Sequence, residues 1–126
     1  MKKTSKLLIV DDDERNIFAL KAVLHARGYT CVSTTGGLQA LAVLKEDATV
    51  DAVLVDMMMP EIDGYSLMGL IRQTAGHEGI LLIAVTAQAM PGDREKCLAA
   101  GADDYISKPV DIDKLVAILD QLTPKH

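Results

Sequence analysis

The stretch Asp51-Ala-Val-Leu-Val-Asp-Met-Met-Met-Pro60 decides the fold. An apolar run with two β-branched residues drives into a carboxylate, Asp56, and the chain then breaks at Pro60 and Gly64. It reads as a buried strand tipped by an acid. Three other short apolar runs end in comparable chemistry: Leu7–Val10 runs into Asp11-Asp12-Asp13, Ile80–Val85 into Thr86, and Asp104–Ser107 into Lys108-Pro109. In a parallel sheet these tips share one edge, the edge at which open α/β folds bind ligands. Acids, a hydroxyl and a lysine then meet in one cleft.

Helical periodicity fills the intervals. Ile17, Leu20, Val23 and Leu24 mark a helix from about Glu14 to Arg27, capped by Asp13 and stopped by Gly28. Tyr29–Ser33 reads as a second strand before the Thr34–Gly37 turn, and Leu38, Leu41 and Leu44 face a second helix toward the core. Leu67, Leu70 and Ile71 mark a third helix, bounded by Gly76 and Gly79, and a fourth runs from Pro91 to Ala100 with Gly101 behind it. Asp111 caps a fifth, whose stripe is Leu115, Ile118, Leu119 and Leu122, with Pro124 beyond. A βα unit repeated five times demands a parallel sheet covered on both faces. The expected architecture is a flavodoxin-like (βα)5 three-layer sandwich of strand order 2-1-3-4-5, which sets strands one and three side by side. Asp11, Asp12 and Asp56 then lie within reach of one another.

The bulk composition fits one domain over residues 1–126, with its core at about 6–122. Of the 126 residues 49% are hydrophobic but only 3% aromatic, so the core is aliphatic. A net charge of −5 repels nucleic acid backbones and anionic membranes. No stretch matches a signal peptide or a spanning helix. Cys31 and Cys97 form no CxxC pair and read as small buried hydrophobes of a reducing cytoplasm. His25, His77 and His126 are scattered, without a common site.

Three crowded carboxylates require a proton or a cation between them. With no Cys/His set nearby, the ion is a hard one, Mg²⁺ or Mn²⁺. Such an ion also offsets charge on an incoming phosphoryl group, Lys108 can pair with one phosphoryl oxygen, and Thr86 can donate to another. A carboxylate nucleophile forming an acyl phosphate makes chemical sense there.

The ordered set Val10-Asp-Asp12, Asp56 with Pro60 and Gly64, Val85-Thr-Ala87 and Tyr105-Ile-Ser-Lys-Pro109 resembles the receiver domain of bacterial two-component response regulators across nearly the whole chain. Asp11–Leu20 further resembles receivers of hybrid histidine kinases. The resemblance implies that Asp56 takes a phosphoryl group from a phosphohistidine on a sensor kinase or phosphotransfer protein. It also implies that Asp11, Asp12, Asp56 and the Met58 carbonyl hold Mg²⁺, with Asp12 the more direct ligand. Thr86 and Lys108 would grip the phosphoryl group, Tyr105 would act as the aromatic switch, and Lys108-Pro109 would be a cis peptide. Met58 and Gln88 would flank the path of hydrolytic water and tune loss of the phosphoryl group. Such a domain turns over its own phosphoryl group without being an independent enzyme, and its output is a protein-binding face on the fourth helix, fifth strand and fifth helix.

Plainer readings hold at some positions: Asp13 is a helix cap, and Met57 and Met59 are core filler. The alternative function is a Mg²⁺-dependent aspartate-nucleophile phosphohydrolase, which usually has a second acid two residues after the nucleophile, where this chain has Met58. A flavodoxin would share the fold but would replace the three aspartates with a phosphate loop.

Overall fold

The computed structural model describes residues 6–60, 62–74, 79–87 and 91–121. Strands and helices alternate: β1 (Lys6–Val10), α1 (Glu14–Ala26), β2 (Thr30–Thr34), α2 (Gly37–Glu46), β3 (Ala52–Asp56), α3 (Gly64–Gln73), β4 (Leu81–Thr86), α4 (Asp93–Ala99), β5 (Asp104–Ser107) and α5 (Ile112–Gln121). The five strands form one parallel sheet in the order β2-β1-β3-β4-β5, as the alternation predicts.

Strand periodicity sorts the core into two layers. Leu8, Val10, Val53, Val55, Leu82 and Ala84 face α2, α3 and α4, where Leu44, Leu67, Met68, Ile71 and Cys97 meet them. Leu7, Ile9, Leu54, Ile83 and Val85 face α1 and α5, through Ile17, Leu20, Leu24, Leu115, Ile118 and Leu119. Because these strands are covered on both faces, β1 from Leu7 on, and β3 and β4 from their starts, are apolar up to the polar groups at their C-terminal tips.

The caps follow the expected chemistry. Asp13 Oδ1 accepts from the amides of Arg15 and Asn16, and Asp111 Oδ1 from those of Asp113 and Lys114. Gly28, at φ 93°, closes α1: its amide donates to the His25 carbonyl and that of Tyr29 to the Leu24 carbonyl. This engagement takes Tyr29 out of β2, which starts at Thr30. Likewise α4 starts at Asp93 and not at Pro91, because Gly92 adopts φ 85°, outside helical space.

Three helix faces differ from the periodic reading. In α2, Leu38 is 62% exposed and Leu41 half-buried, while Gly37, Ala40 and Leu44 form the contact face. A Cβ at Gly37 would collide with Ile62, so the small residues set the side on which α2 approaches. In α3, Met68 is buried where Leu70 was expected, and in α1 Val23 is exposed. Gly76, His77, Leu122, Pro124 and His126 lie outside the described residues. Met57, Met59 and Cys97 are buried as expected, whereas Cys31 is only half-buried and His25 is exposed.

At the N-terminal edge of the sheet, Arg72 ties three elements together. Its guanidinium donates to the carbonyls of Ile80 and Gly101 at 2.5 and 2.7 Å and pairs with Asp103 at 3.0 Å. At the other end of α4, the Tyr65 hydroxyl lies 3.4 Å from Asp93 Oδ1, and Lys96 Nζ lies 4.8 Å from the centroid of the Tyr65 ring.

Candidate functional site

The tips of β1, β3, β4 and β5 bring the expected groups to one edge. Asp11 directly follows Val10, Asp56 is the last residue of β3, Thr86 the last of β4, and Lys108 directly follows β5. Register fixes their relative heights: Val10 pairs with Val55, Asp56 with Val85, and Thr86 with Ser107. Behind Asp56 the chain turns closely. A Cβ at Gly64 would lie 2.8 Å from Met57 Cα, so glycine lets α3 begin hard against the end of β3.

Asp11 and Asp56 are each 3% exposed, whereas Asp12 is open to solvent. One carboxylate oxygen from each of the three can be chosen so that all lie within 4.8 Å of one another. Lys108 Nζ sits 3.4 Å from Asp56 Oδ2 and 3.6 Å from Asp11 Oδ2. Its backbone amide donates to the Thr86 carbonyl at 2.8 Å, and the Lys108-Pro109 bond is cis. The Met58 amide donates to Asp56 Oδ1 at 3.0 Å, while the Met58 side chain is 70% exposed.

Electrostatics follows from this crowding. Burial pushes the Asp56 carboxyl above the ordinary aspartate range; the Met58 amide and the Lys108 ammonium pull it back, and Asp11 adds to the rise. Burial opposes the charge on Lys108, but Asp56 and Asp11 outweigh it and hold the ammonium above the ordinary lysine value. The cluster therefore keeps the Lys108 cation and disfavours the charge on Asp56. An all-carboxylate donor set, two members buried and one exposed, fits a hard divalent ion such as Mg²⁺.

Thr86 is buried at the β4 tip, and Tyr105, opposite Ala84 on β5, is half-buried against the core. Gln88 lies outside the described residues. One contact escaped the sequence reading: Asn16 Nδ2 donates to Asp11 Oδ2. The signal was an amide in the first turn of the helix that follows an acid-tipped strand. For a phosphohydrolase, the position two residues after Asp56 offers the exposed thioether of Met58 and no carboxylate.

Comparison with known proteins agrees with this geometry. The DivK polar-differentiation response regulator of Brucella ovis is 34% identical over 113 residues, 90% of this chain and 91% of that protein. Hybrid signal transduction histidine kinase I of Dictyostelium discoideum is 36% identical over 96% of this chain, which spans 7% of that kinase. Among solved structures, the receiver domain of the sensor histidine kinase PA1611 from Pseudomonas aeruginosa PAO1, with a magnesium ion coordinated in its active-site cleft, aligns with a TM-score of 0.84 at 36% identity, covering 94% of this chain and 96% of that one. The sequence model of the response regulator receiver domain matches residues 7–120, and the chain belongs to that family of two-component signalling domains.

Proposed function

We propose that Asp56 is the phosphoryl acceptor, and that the donor is a phosphohistidine on a sensor histidine kinase or histidine phosphotransfer protein. The observation that carries this reading is the bridge of Lys108 between two buried carboxylates at the tips of β3 and β1. An Asp56 oxygen attacks phosphorus as the P–N bond breaks and the imidazole leaves with the bond's electron pair. Lys108 then trades its contact with Asp56 for a phosphoryl oxygen, and the Thr86 hydroxyl donates to another. Asp11, Asp12, Asp56 and the Met58 carbonyl would hold Mg²⁺, or Mn²⁺ in its place, and the ion would supply charge neutralisation at the phosphoryl oxygens. The magnesium-bearing PA1611 receiver supports that assignment.

The output is a change in protein binding by the α4–β5–α5 face. Phosphorylation puts a group of roughly −1.5 to −2 charge, with new acceptor oxygens, beside Thr86 in place of the Asp56 carboxylate, and Tyr105 turns inward as Thr86 follows those acceptors. The chain works as one receiver domain with its core at about residues 6–122, passing a signal and not turning over a substrate of its own. Among the described residues no helix is long and apolar enough to cross a membrane, and the reducing cytoplasm suits the free cysteines.

Incubation with acetyl phosphate, followed by intact mass, tests the assignment. The parent protein gains one phosphoryl group in Mg²⁺ and none in EDTA, and Asp56→Asn gains none in either. Equal labelling of the Asn variant overturns it.

A further inference from the structure

Asn16 belongs to neither the carboxylate set nor the phosphoryl-binding set, yet its side chain is bonded to the site. Its Nδ2 donates to Asp11 Oδ2 at 2.5 Å, while the Asp13 amide donates to Asp11 Oδ1 at 2.9 Å. Both oxygens of this buried carboxylate are thus held from the first turn of α1, and a rotation of the carboxylate plane gives up one of the two bonds. With Asp11 3% exposed, bulk water is poorly placed to replace the lost donor. Helix chemistry gives no other reason for this residue. Asparagine is a weak helix former, and the backbone amide of Asn16 is already served by Asp13 Oδ1.

We propose that Asn16 is a positioning residue for the divalent ion, acting through Asp11 and favouring Mg²⁺ over Ca²⁺. The proposal rests on the metal reading given above. An ionised carboxylate has about four lone-pair sites, so Asp11 retains acceptor capacity for an ion after both donors, and the Lys108 ammonium 3.6 Å from Oδ2, are counted. Mg²⁺ demands near-ideal octahedral geometry at about 2.0–2.1 Å, whereas Ca²⁺ accepts splayed oxygen ligands at about 2.3–2.6 Å. A ligand pinned in one plane serves the stricter ion. Freed to swivel, Asp11 serves the larger ion almost as well as before.

Isothermal titration with MgCl₂ and CaCl₂, on the parent, Asn16→Ala and Asn16→Leu, reads this directly. Both variants lose the amide, and they differ in volume. Each is expected to bind Mg²⁺ about tenfold more weakly, and Ca²⁺ less than about threefold more weakly. Melting temperatures in EDTA read separately the structural cost of leaving an Asp11 oxygen without its donor, which better helix propensity offsets only in part; a merely structural role would weaken both ions alike and would not produce the difference between them. Mg²⁺ affinity within about twofold of the parent in both variants, or equal losses for the two ions, overturns the proposal. Asp12→Asn separates this from the underlying reading: a parent that binds no Mg²⁺, or whose Mg²⁺ binding survives that substitution, removes the metal site itself.

Discussion

At the scale of single residues, Met58 has a contact on its backbone and a proposed shielding role on its side chain. Its backbone amide holds Asp56 Oδ1, and its side chain is 70% exposed. A thioether there repels water without offering it a base, and Gln88, the other position expected to flank the water path, can hydrogen-bond water but cannot take its proton. The Met58→Asn/Gln88→Glu double variant is expected to lose its phosphoryl label at least ~10-fold faster, followed at saturating Mg²⁺ with circular dichroism to show that it is folded. An unchanged or slower rate refutes shielding. Asp11, Asp12, Asp56, Thr86 and Lys108 were legible in the sequence because each reactive group stands where an apolar run stops. Asn16 was not, because its contact depends on the angle at which α1 leaves β1, and no spacing rule encodes that angle.

At the scale of elements, strands were read more securely than helix faces. A fully buried strand leaves few alternatives, but a leucine-rich helix offers two apolar faces that satisfy the same period. In α2 the choice fell to Gly37 and Ala40, whose lack of bulk permits close approach, and Leu38 was left outside. Accordingly Leu38→Ala should change unfolding free energy by less than ~0.5 kcal/mol, whereas Leu44→Ala should cost ~2–5 kcal/mol in urea titrations. Comparable costs at the two positions contradict the assigned face. Helix α4 is the slightest of the five, seven residues with only Cys97 buried. Its first turn meets α3 through Tyr65, whose hydroxyl is pushed up to about 12 by burial, with Cys97 and Asp93 adding, and so stays a donor. Beryllofluoride, a phosphoryl mimic, is expected to shift NMR resonances across residues 89–100 and 105–119, through the α4–β5–α5 face. Shifts confined to the cleft refute a switch on that face.

At the scale of the whole molecule, the buried Asp56 carboxyl works against the fold as pH rises. The Asp56 carboxyl sits above the ordinary aspartate pKa, so the folded state binds the proton more tightly than the unfolded one. Stability therefore declines as pH rises from about 3.9 through the higher folded value, and the loss is complete above it. Without metal at pH 7, Asp56→Asn should be more stable than the parent and melt higher, and the gap should close toward pH 4. Mg²⁺ at about 100 times its Kd adds ~2.7 kcal/mol to the parent, and much less to the variant. Thermal melts in EDTA and in Mg²⁺ check both halves, and an Asn variant less stable than the parent in EDTA at pH 7 refutes the first. The far edge of the sheet has the opposite character. There Arg72 grips the carbonyl of Gly101, just past the C-terminus of α4, through both Nε and Nη2, while among the described residues the helix's opening turn is steadied by the Tyr65 and Lys96 contacts described above and by a long, partly exposed Arg94–Asp104 ion pair at 3.9 Å. A rod bolted at one end and lightly latched at the other swings like a door. Its free edge, Asp93 to Lys96, should therefore sweep the widest arc when Asp56 is modified, with amide exchange changing there and staying level at Leu98–Ala100, so that a partner reads the angle of the door.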